Sequence, residues 1–298
     1  MAAAREFAVA FVIREKFSLA LASLKRLYAF SRTPFTLYFV DGRYPRPLAR
    51  QVDAFLASKD NVVRLEARRY LYPNEALNLV LAQAAEPYVL LLQNDVLVGE
   101  GSVERLLASA RQKGADVVVP AILDLEHGAP GPHHDQDRDV AFAERGGRIH
   151  ADKADSRAAD AGLRRIDFFE MHCVLARTAA LRELAPLPPL NIHEHVDLCI
   201  SLWRAGRTAY ADEASRVLFV GSPPQPLRDY ELAYFRFRWD LARALQSDRH
   251  VRDRWPVAQL FEPPPFIAHQ LQATRPEAVL GGYAAFAEDA WPDDFAAA

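Results

Sequence analysis

The stretch YVLLLQNDVLV, residues 88–98, sets an oily run against an abrupt polar triplet, Gln93-Asn94-Asp95. An unbroken apolar run of this length reads as a strand covered on both faces. The triplet that ends it has two readings. Asn and Asp bond their own backbone in turns, so a surface turn would account for both. An open α/β sheet also binds its ligands at the carboxyl ends of its strands, where the same triplet would deliver a carboxylate to a cleft.

The flanking sequence favours the cleft. FAVAFVI, residues 7–13, is a second fully apolar run, and KFSLALASLKRLYAF then switches to helical spacing through Phe17, Leu21, Leu24 and Tyr28. TLYFV is stopped by Asp41-Gly42, PLARQVDAFLAS is helical, NVVRL is strand-like and PNEALNLVLAQA is helical again. After the 88–92 run come a helix through Val103, Leu106, Leu107 and Ala110, then ADVVVP. Strand and helix alternating to about residue 120 predict an α/β fold whose parallel strands are covered by helices on both sides. Asp41 and Asp95 both follow strands directly, so they meet at one edge of the sheet.

Composition narrows the function classes. The chain has 298 residues, half of them apolar and a quarter charged, with a net charge of -3. That is a soluble globule with no overall positive field to draw nucleic acid or anionic lipid. No apolar run reaches membrane-spanning length. Cys173 and Cys199 stand in apolar surroundings and predict buried thiols in a reducing, cytoplasmic compartment. Peripheral contact with the inner face of a membrane is compatible with this.

Past Pro120 the period is lost. Residues 124–148 read as one long loop rich in Gly, Pro, His and Asp, best understood as covering a substrate. His127, His133 and His134 lie in it without the spacing of a metal site. Structure resumes with RRIDFFEMHCVLART, where FF and CVLA read as strand and alternation puts Glu170 and His172 on one side, as candidate acceptor-cleft residues. A short helix follows around residues 179–184, then HEHVDLCISLWRAG as a helix stopped by Gly206. TAYA and SRVLFV read as two short strands. A single aromatic-rich helix is expected over residues 230–245, in a proline-rich tail unable to fold alone.

The start of the HEHVDLC helix gathers His193, Glu194, His195 and Asp197 behind the proline-rich approach PLPPLNIH. Helix capping would explain Glu194 alone. General acid–base work would use the group together. Consecutive helical residues diverge by about 100°, so Glu194 and His195 face different surroundings.

These stretches resemble the family 2 glycosyltransferases of GT-A fold over residues 7–220. FVIREKFSLALASLKRL is similar to that family's first strand and helix, and LYFVDGR to its second strand, whose terminal aspartate contacts the nucleotide base; here that residue is Asp41. YPNEALNLVLAQAAEPYVLLLQND resembles the helix carrying an asparagine, here Asn78, and the strand ending in the metal and diphosphate motif, here Gln93, Asn94 and Asp95. EHVDLCISLWRAG is similar to the Glu-Asp-x-Asp helix that carries the base.

The resemblance implies a mixed Rossmann-like sheet flanked by helices in residues 1–225, with residues 226–298 as an extension packed on it. It also implies an inverting glycosyltransferase that moves a sugar from a nucleoside-diphosphate sugar to a hydroxyl of a glycan, lipid-linked or protein acceptor. Asp95 would hold a divalent metal, Mn²⁺ or Mg²⁺, and Asp41, Asn78 and Asn94 would contact the donor. Arg14 and Arg43, near strand ends, suit phosphate or base contacts. One base and a single displacement imply inversion.

The chain departs from the pattern in three places, one of them Phe219-Val220, where many relatives carry a histidine near the metal. Gln93 stands where the metal motif's first aspartate is usual, and His195 where the base aspartate is usual. Glu194 and His195 therefore both stay candidates for the base, with Glu194 preferred because a carboxylate at this helix start is what the resemblance keeps. Two other functions are weighed against transfer. A non-catalytic nucleotide-sugar or glycan-binding module would follow if Gln93 has thinned the metal motif. A dinucleotide enzyme is disfavoured, because the first strand–helix junction, VIREKFSL, has no glycine.

Overall fold

Every residue of β1 (Phe7–Val12) is buried, and its two faces feed two separate cores. Phe7, Val9 and Phe11 point into one, while Ala8, Ala10 and Val12 point into the other. That alternation is what a strand sandwiched between helices requires. The computed structural model describes residues 5–14, 16–126, 129–132, 140–153, 162–220 and 227–273.

In chain order β1 is followed by α1 (Ala20–Phe30), β2 (Phe35–Gly42), α2 (Arg46–Leu56), β3 (Val62–Ala67), α3 (Pro73–Leu81), β4 (Tyr88–Gln93), β5 (Val96–Val98), α4 (Ser102–Lys113) and β6 (Val117–Glu126). Then come β7 (Ala129–Pro132), β8 (Val140–Arg145), β9 (Arg148–Lys153), β10 (Leu163–Ile166), β11 (Cys173–Arg177), α5 (Thr178–Leu184), α6 (Glu194–Arg204) and β12 (Ala209–Phe219). The extension contributes α7 (Leu232–Arg238), α8 (Leu241–Arg254) and α9 (Pro263–Ala273).

The main sheet runs β10-β12-β6-β11-β4-β1-β2-β3, and β4, β1, β2 and β3 are mutually parallel. The parallel run stops at β4, because β11 enters antiparallel between β4 and β6. The result is a mixed sheet. Helices α1, α2 and α4 cover the face carrying Phe7 and Phe11, and α3 and α6 cover the opposite face, where Ala8 and Ala10 leave room for α3. Each fully buried Phe or Leu on these faces contributes on the order of 2–3 kcal/mol.

Three expectations from the sequence are revised. Residues 124–148 do not form one long loop: β6 extends to Glu126, β7 pairs back on it, and β8 and β9 make a hairpin closed at Gly146-Gly147. Both of those glycines have positive φ (58° and 72°), as a two-residue hairpin turn demands, so the GG pair was a readable signal. His127, His133 and His134 lie outside the described residues. The two short strands after α6 are one strand, β12, with an irregularity between Asp212 and Arg216. The expected helix over 230–245 breaks at Trp239-Asp240, where the Asp240 carboxylate accepts from the Arg243 amide at 2.9 Å and starts α8 afresh.

Candidate active site

Backbone pairing carries β4 to its end and then fixes the triplet in place. Val12 is in register with Gln93, the Asn94 amide donates to the Val12 carbonyl at 2.9 Å, and the Val220 amide donates to the Asp95 carbonyl at 2.8 Å. Asp95 is thus held between the ends of β1 and β12. The three side chains then divide their work. Gln93 is tied to His172 twice, by its amide to the His172 carbonyl and by Oε1 at 3.0 Å from Nδ1. Asn94 accepts from the Arg14 amide at 3.0 Å and donates to the Lys16 carbonyl, so it shapes the turn after β1. Of the triplet's side chains only that of Asp95 is charged, and Asp95 is fully buried.

A buried carboxylate is costly without a partner of opposite charge. The Arg14 guanidinium lies 3.9 Å from Asp95 Oδ2 and 5.4 Å from the centre of the Phe219 ring. His172 packs against the same ring at 4.1 Å. A carboxylate and a guanidinium therefore converge at the carboxyl edge of β4.

Asp41 reaches the same edge from β2, with β1 between, so the two aspartates stand roughly 10 Å apart across two strand spacings. One Asp41 oxygen accepts from the Tyr44 amide at 3.0 Å, the Asp-turn geometry, and the other lies 3.5 Å from Arg64. Arg43 adopts positive φ (66°) and lays its guanidinium 5.1 Å from the Tyr70 ring. Asn78 uses its side chain on the Leu187 backbone, donating at 2.8 Å and accepting at 2.9 Å. It bridges α3 to the approach to α6.

That approach ends in a non-glycine residue in the left-handed region. His193, the N-cap of α6, has φ 60° and is wholly buried. Its Nε2 lies 3.3 Å from Asp248 Oδ1 without good hydrogen-bond geometry, and its ring faces Phe261 at 4.2 Å. Burial lowers its pKa to about 4, with His195 adding to the effect and Asp248 opposing it.

From this turn the next two residues diverge, as their helical spacing requires. Glu194 points inward, buried, and accepts from Arg238 of α7 at 3.2 Å. His195 points outward and keeps partial exposure, its Nε2 3.6 Å from Glu170 Oε1 and its ring edge-on to Phe168. Asp197, one turn on, is buried under α8, accepting from Arg254 at 2.8 and 3.0 Å and from the Trp255 indole at 2.8 Å. Glu170 and His172, expected on one side of a strand, take different partners because residues 168–172 lie outside regular strand. Cys173 and Cys199 are buried and free, and burial raises both thiols, Cys173 to about 12.

The partners supplied by the extension, namely Arg238, Asp248, Arg254 and Trp255, escaped the sequence reading. They stand some forty or more positions from what they touch, and no local pattern announces them. Among the described residues no three His, Cys, Asp or Glu side chains cluster closely enough to hold a metal ion, and no helix is long and apolar enough to cross a membrane.

The family model described as "Glycosyl transferase family 2" matches residues 15–184, more than half of the chain. Among solved structures, the chain is similar to GalNAc-T7 with UDP, GalNAc and Mn²⁺ at 14% identity and a TM-score of 0.58, covering 77% of this chain and 47% of that one. It is similar to the mannosyltransferase PcManGT from Pyrobaculum calidifontis in complex with GDP-Man and Mn²⁺ at 15% identity and 0.55, covering 98% and 73%. Residues 1–349 of TarS from S. aureus align at 16% identity and 0.50, covering 95% and 73%. The chain spans about half the length of the first of these. No curated protein sequence matches it. At such identities these structures show the shared GT-A fold.

Proposed function

The chain belongs to glycosyl transferase family 2, and on that premise we propose that it transfers a sugar from a nucleoside-diphosphate donor to an acceptor hydroxyl. The observation that carries this reading is the meeting of the buried Asp95 carboxylate and the Arg14 guanidinium at the carboxyl edge of β4. As the glycosidic bond breaks, negative charge grows on the leaving diphosphate. Groups placed in advance around that charge lower the barrier.

Asp95 would hold a divalent cation, which when bound would supply positive charge against the leaving diphosphate. Mg²⁺-like ions are commonly held by one or two carboxylates, with phosphates and waters completing the shell. Asp95 suits that arrangement. Gln93 and Asn94 are committed elsewhere, so Asp95 would be the triplet's only anionic ligand. Arg14 sits where its guanidinium supplements that charge. Asp41, partly exposed at the same edge, would meet the nucleoside.

For the base we assign His195. Its imidazole keeps access to solvent and has Glu170 beside it, whereas Glu194 is turned away into an ion pair with Arg238. The imidazole would take the acceptor proton while Glu170 orients the ring and stabilises the imidazolium that forms. Attack opposite the leaving group inverts the anomeric carbon.

The sealing of Gln93 against His172 also suits a second reading, donor binding without transfer. Titrating UDP- and GDP-sugars into the chain with and without Mn²⁺, while assaying released nucleoside diphosphate, tests both. Binding with release supports transfer, and binding without release under any acceptor favours the second reading. Failure of every nucleotide sugar to bind overturns both.

A further inference from the structure

On the outer side of α7 a cavity of about 330 Å³ opens between the start of α3, the turn at 189–190 and α8. Its size is at the lower end of small-ligand sites, room for one or two sugar rings. Neither Asp95, Arg14, His195 nor Glu170 lines it. Phe237, which does, backs onto Tyr234 at 5.9 Å, and Tyr234 in turn donates to the Ile13 carbonyl at the end of β1 at 3.2 Å. Two aromatic layers thus separate this space from the strand ends.

The charge in the cavity is unbalanced in a specific way. Arg69 is neutralised by Glu75 at 2.6 Å. Arg243 has no such partner: among the described residues no carboxylate lies within ion-pair distance of its guanidinium. It is nevertheless held in place, 4.9 Å from the Phe237 ring and donating to the Tyr72 hydroxyl at 3.3 Å, while the Tyr72 and Phe237 rings stack at 4.6 Å. A guanidinium has five N–H donors in a fixed fork that suits carboxylate and phosphate. One donor is used here. Gln246 and His250 follow at i+3 and i+7 on the same face of α8 and also line the space, with Pro189 and Leu190 as an apolar floor. A positioned cation, amide and imidazole above an apolar floor match an oxyanion joined to hydroxyls and a C–H face.

We propose that this cavity is a second ligand site, outside the transfer cleft, that takes an oxyanion-bearing saccharide, with Arg243 holding the oxyanion and Gln246 the hydroxyls. The site stands apart from the transfer reading and requires no donor. The test titrates the intact chain, at low salt and without nucleotide sugar, with glucose 6-phosphate, glucuronate, glucose and inorganic phosphate. Both charged sugars are expected to bind, glucose not measurably, and phosphate at least tenfold more weakly than its sugar ester. Arg243→Gln should weaken the charged sugars tenfold or more yet leave nucleotide-sugar binding unchanged. Gln246→Leu should weaken the sugars while leaving phosphate as it was. Asp95→Asn should bind the charged sugars like the parent, which separates this site from the donor cleft. Undiminished sugar binding by Arg243→Gln, equal affinity for phosphate and its sugar ester, or no binding of either charged sugar overturns the proposal.

Discussion

Asp95 and Arg14 form the local arrangement on which the transfer reading stands, so the sharpest test is the smallest change there. Asp95→Asn keeps volume and removes charge. It is expected to abolish metal-dependent affinity for the donor, read by calorimetry with and without Mn²⁺, and unchanged affinity would remove Asp95 from the site. At α6 two neighbouring substitutions separate two roles. His195→Asn is expected to lower turnover by about 10²–10⁴, the usual worth of a general base, across the pH range. Glu194→Gln should lose mainly stability, and Glu170→Gln should shift the pH–rate profile while sparing KM. Turnover that survives His195→Asn but not Glu194→Gln would return the base to the carboxylate. His193 carries a third prediction. Its pKa is about 4 in the folded chain against an ordinary 6.5, so between those values the unfolded state binds more protons. Its contribution is therefore full above about pH 6.5 and is lost as pH falls toward 4, by about 3 kcal/mol in all. His193→Asn, which tolerates the left-handed turn, should flatten the fall in urea midpoint between pH 7 and pH 4.5. An unchanged fall would exclude His193 as its source.

Among the elements, α6 is the one whose position depends most on distant sequence. Two ion pairs, Glu194–Arg238 and Asp197–Arg254, and the close His193–Asp248 contact tie its first turn to α7 and α8. Arg238 and Glu194 are both buried, so removing Arg238 alone leaves the Glu194 carboxylate buried without that partner. Arg238→Met is expected to cost about 3–5 kcal/mol in urea unfolding. The double change Arg238→Met with Glu194→Leu should recover much of that, because an apolar pair can fill a similar space without an unpaired charge. Additive losses in the two single variants would show that the pair has no energetic coupling. In the first half, by contrast, element identity was legible residue by residue. The spacing of Leu21, Leu24 and Tyr28 made α1, with Phe17 in the short 3-10 turn before it, and the apolar runs made β1 and β4. In the β8–β9 hairpin the local signal is confined to the turn, Gly146-Gly147.

At the scale of the whole molecule, the extension completes the main core. Tyr234 of α7 is almost fully buried in the same core as Phe11 and Phe39, against Phe17 at 5.0 Å and Tyr70 at 5.3 Å. Its hydroxyl donates to the end of β1, and Glu231 accepts from the Ser18 amide at 2.8 Å. Tyr234→Ala opens a large void and is expected to cost about 3–5 kcal/mol. A chain ending at residue 226 should lose cooperative urea unfolding, followed by far-ultraviolet circular dichroism. A sharp transition of parental midpoint in that shortened chain would show instead that the extension is dispensable for folding.

By itself the sequence determined the alternating strands and helices, the buried character of β1 and β4, and the arrival of Asp41 and Asp95 at one sheet edge. These rest on local periodicity, and a parallel strand's direction decides where its last residue ends up. It also singled out the start of α6. Only the tertiary structure decided where each side chain there points and what it touches. Glu194 and His195 are adjacent in sequence and alike as candidates, but the left-handed turn at His193 and the arrival of Arg238 send one into the interior and leave the other beside Glu170. The same holds for Gln93 and Asn94, which the strand end presents equally and which His172, Arg14 and Lys16 then engage. The physical reason is range. Periodicity reports on the few residues that share a turn or a strand, whereas burial and charge pairing are settled by whatever the chain brings back from far away.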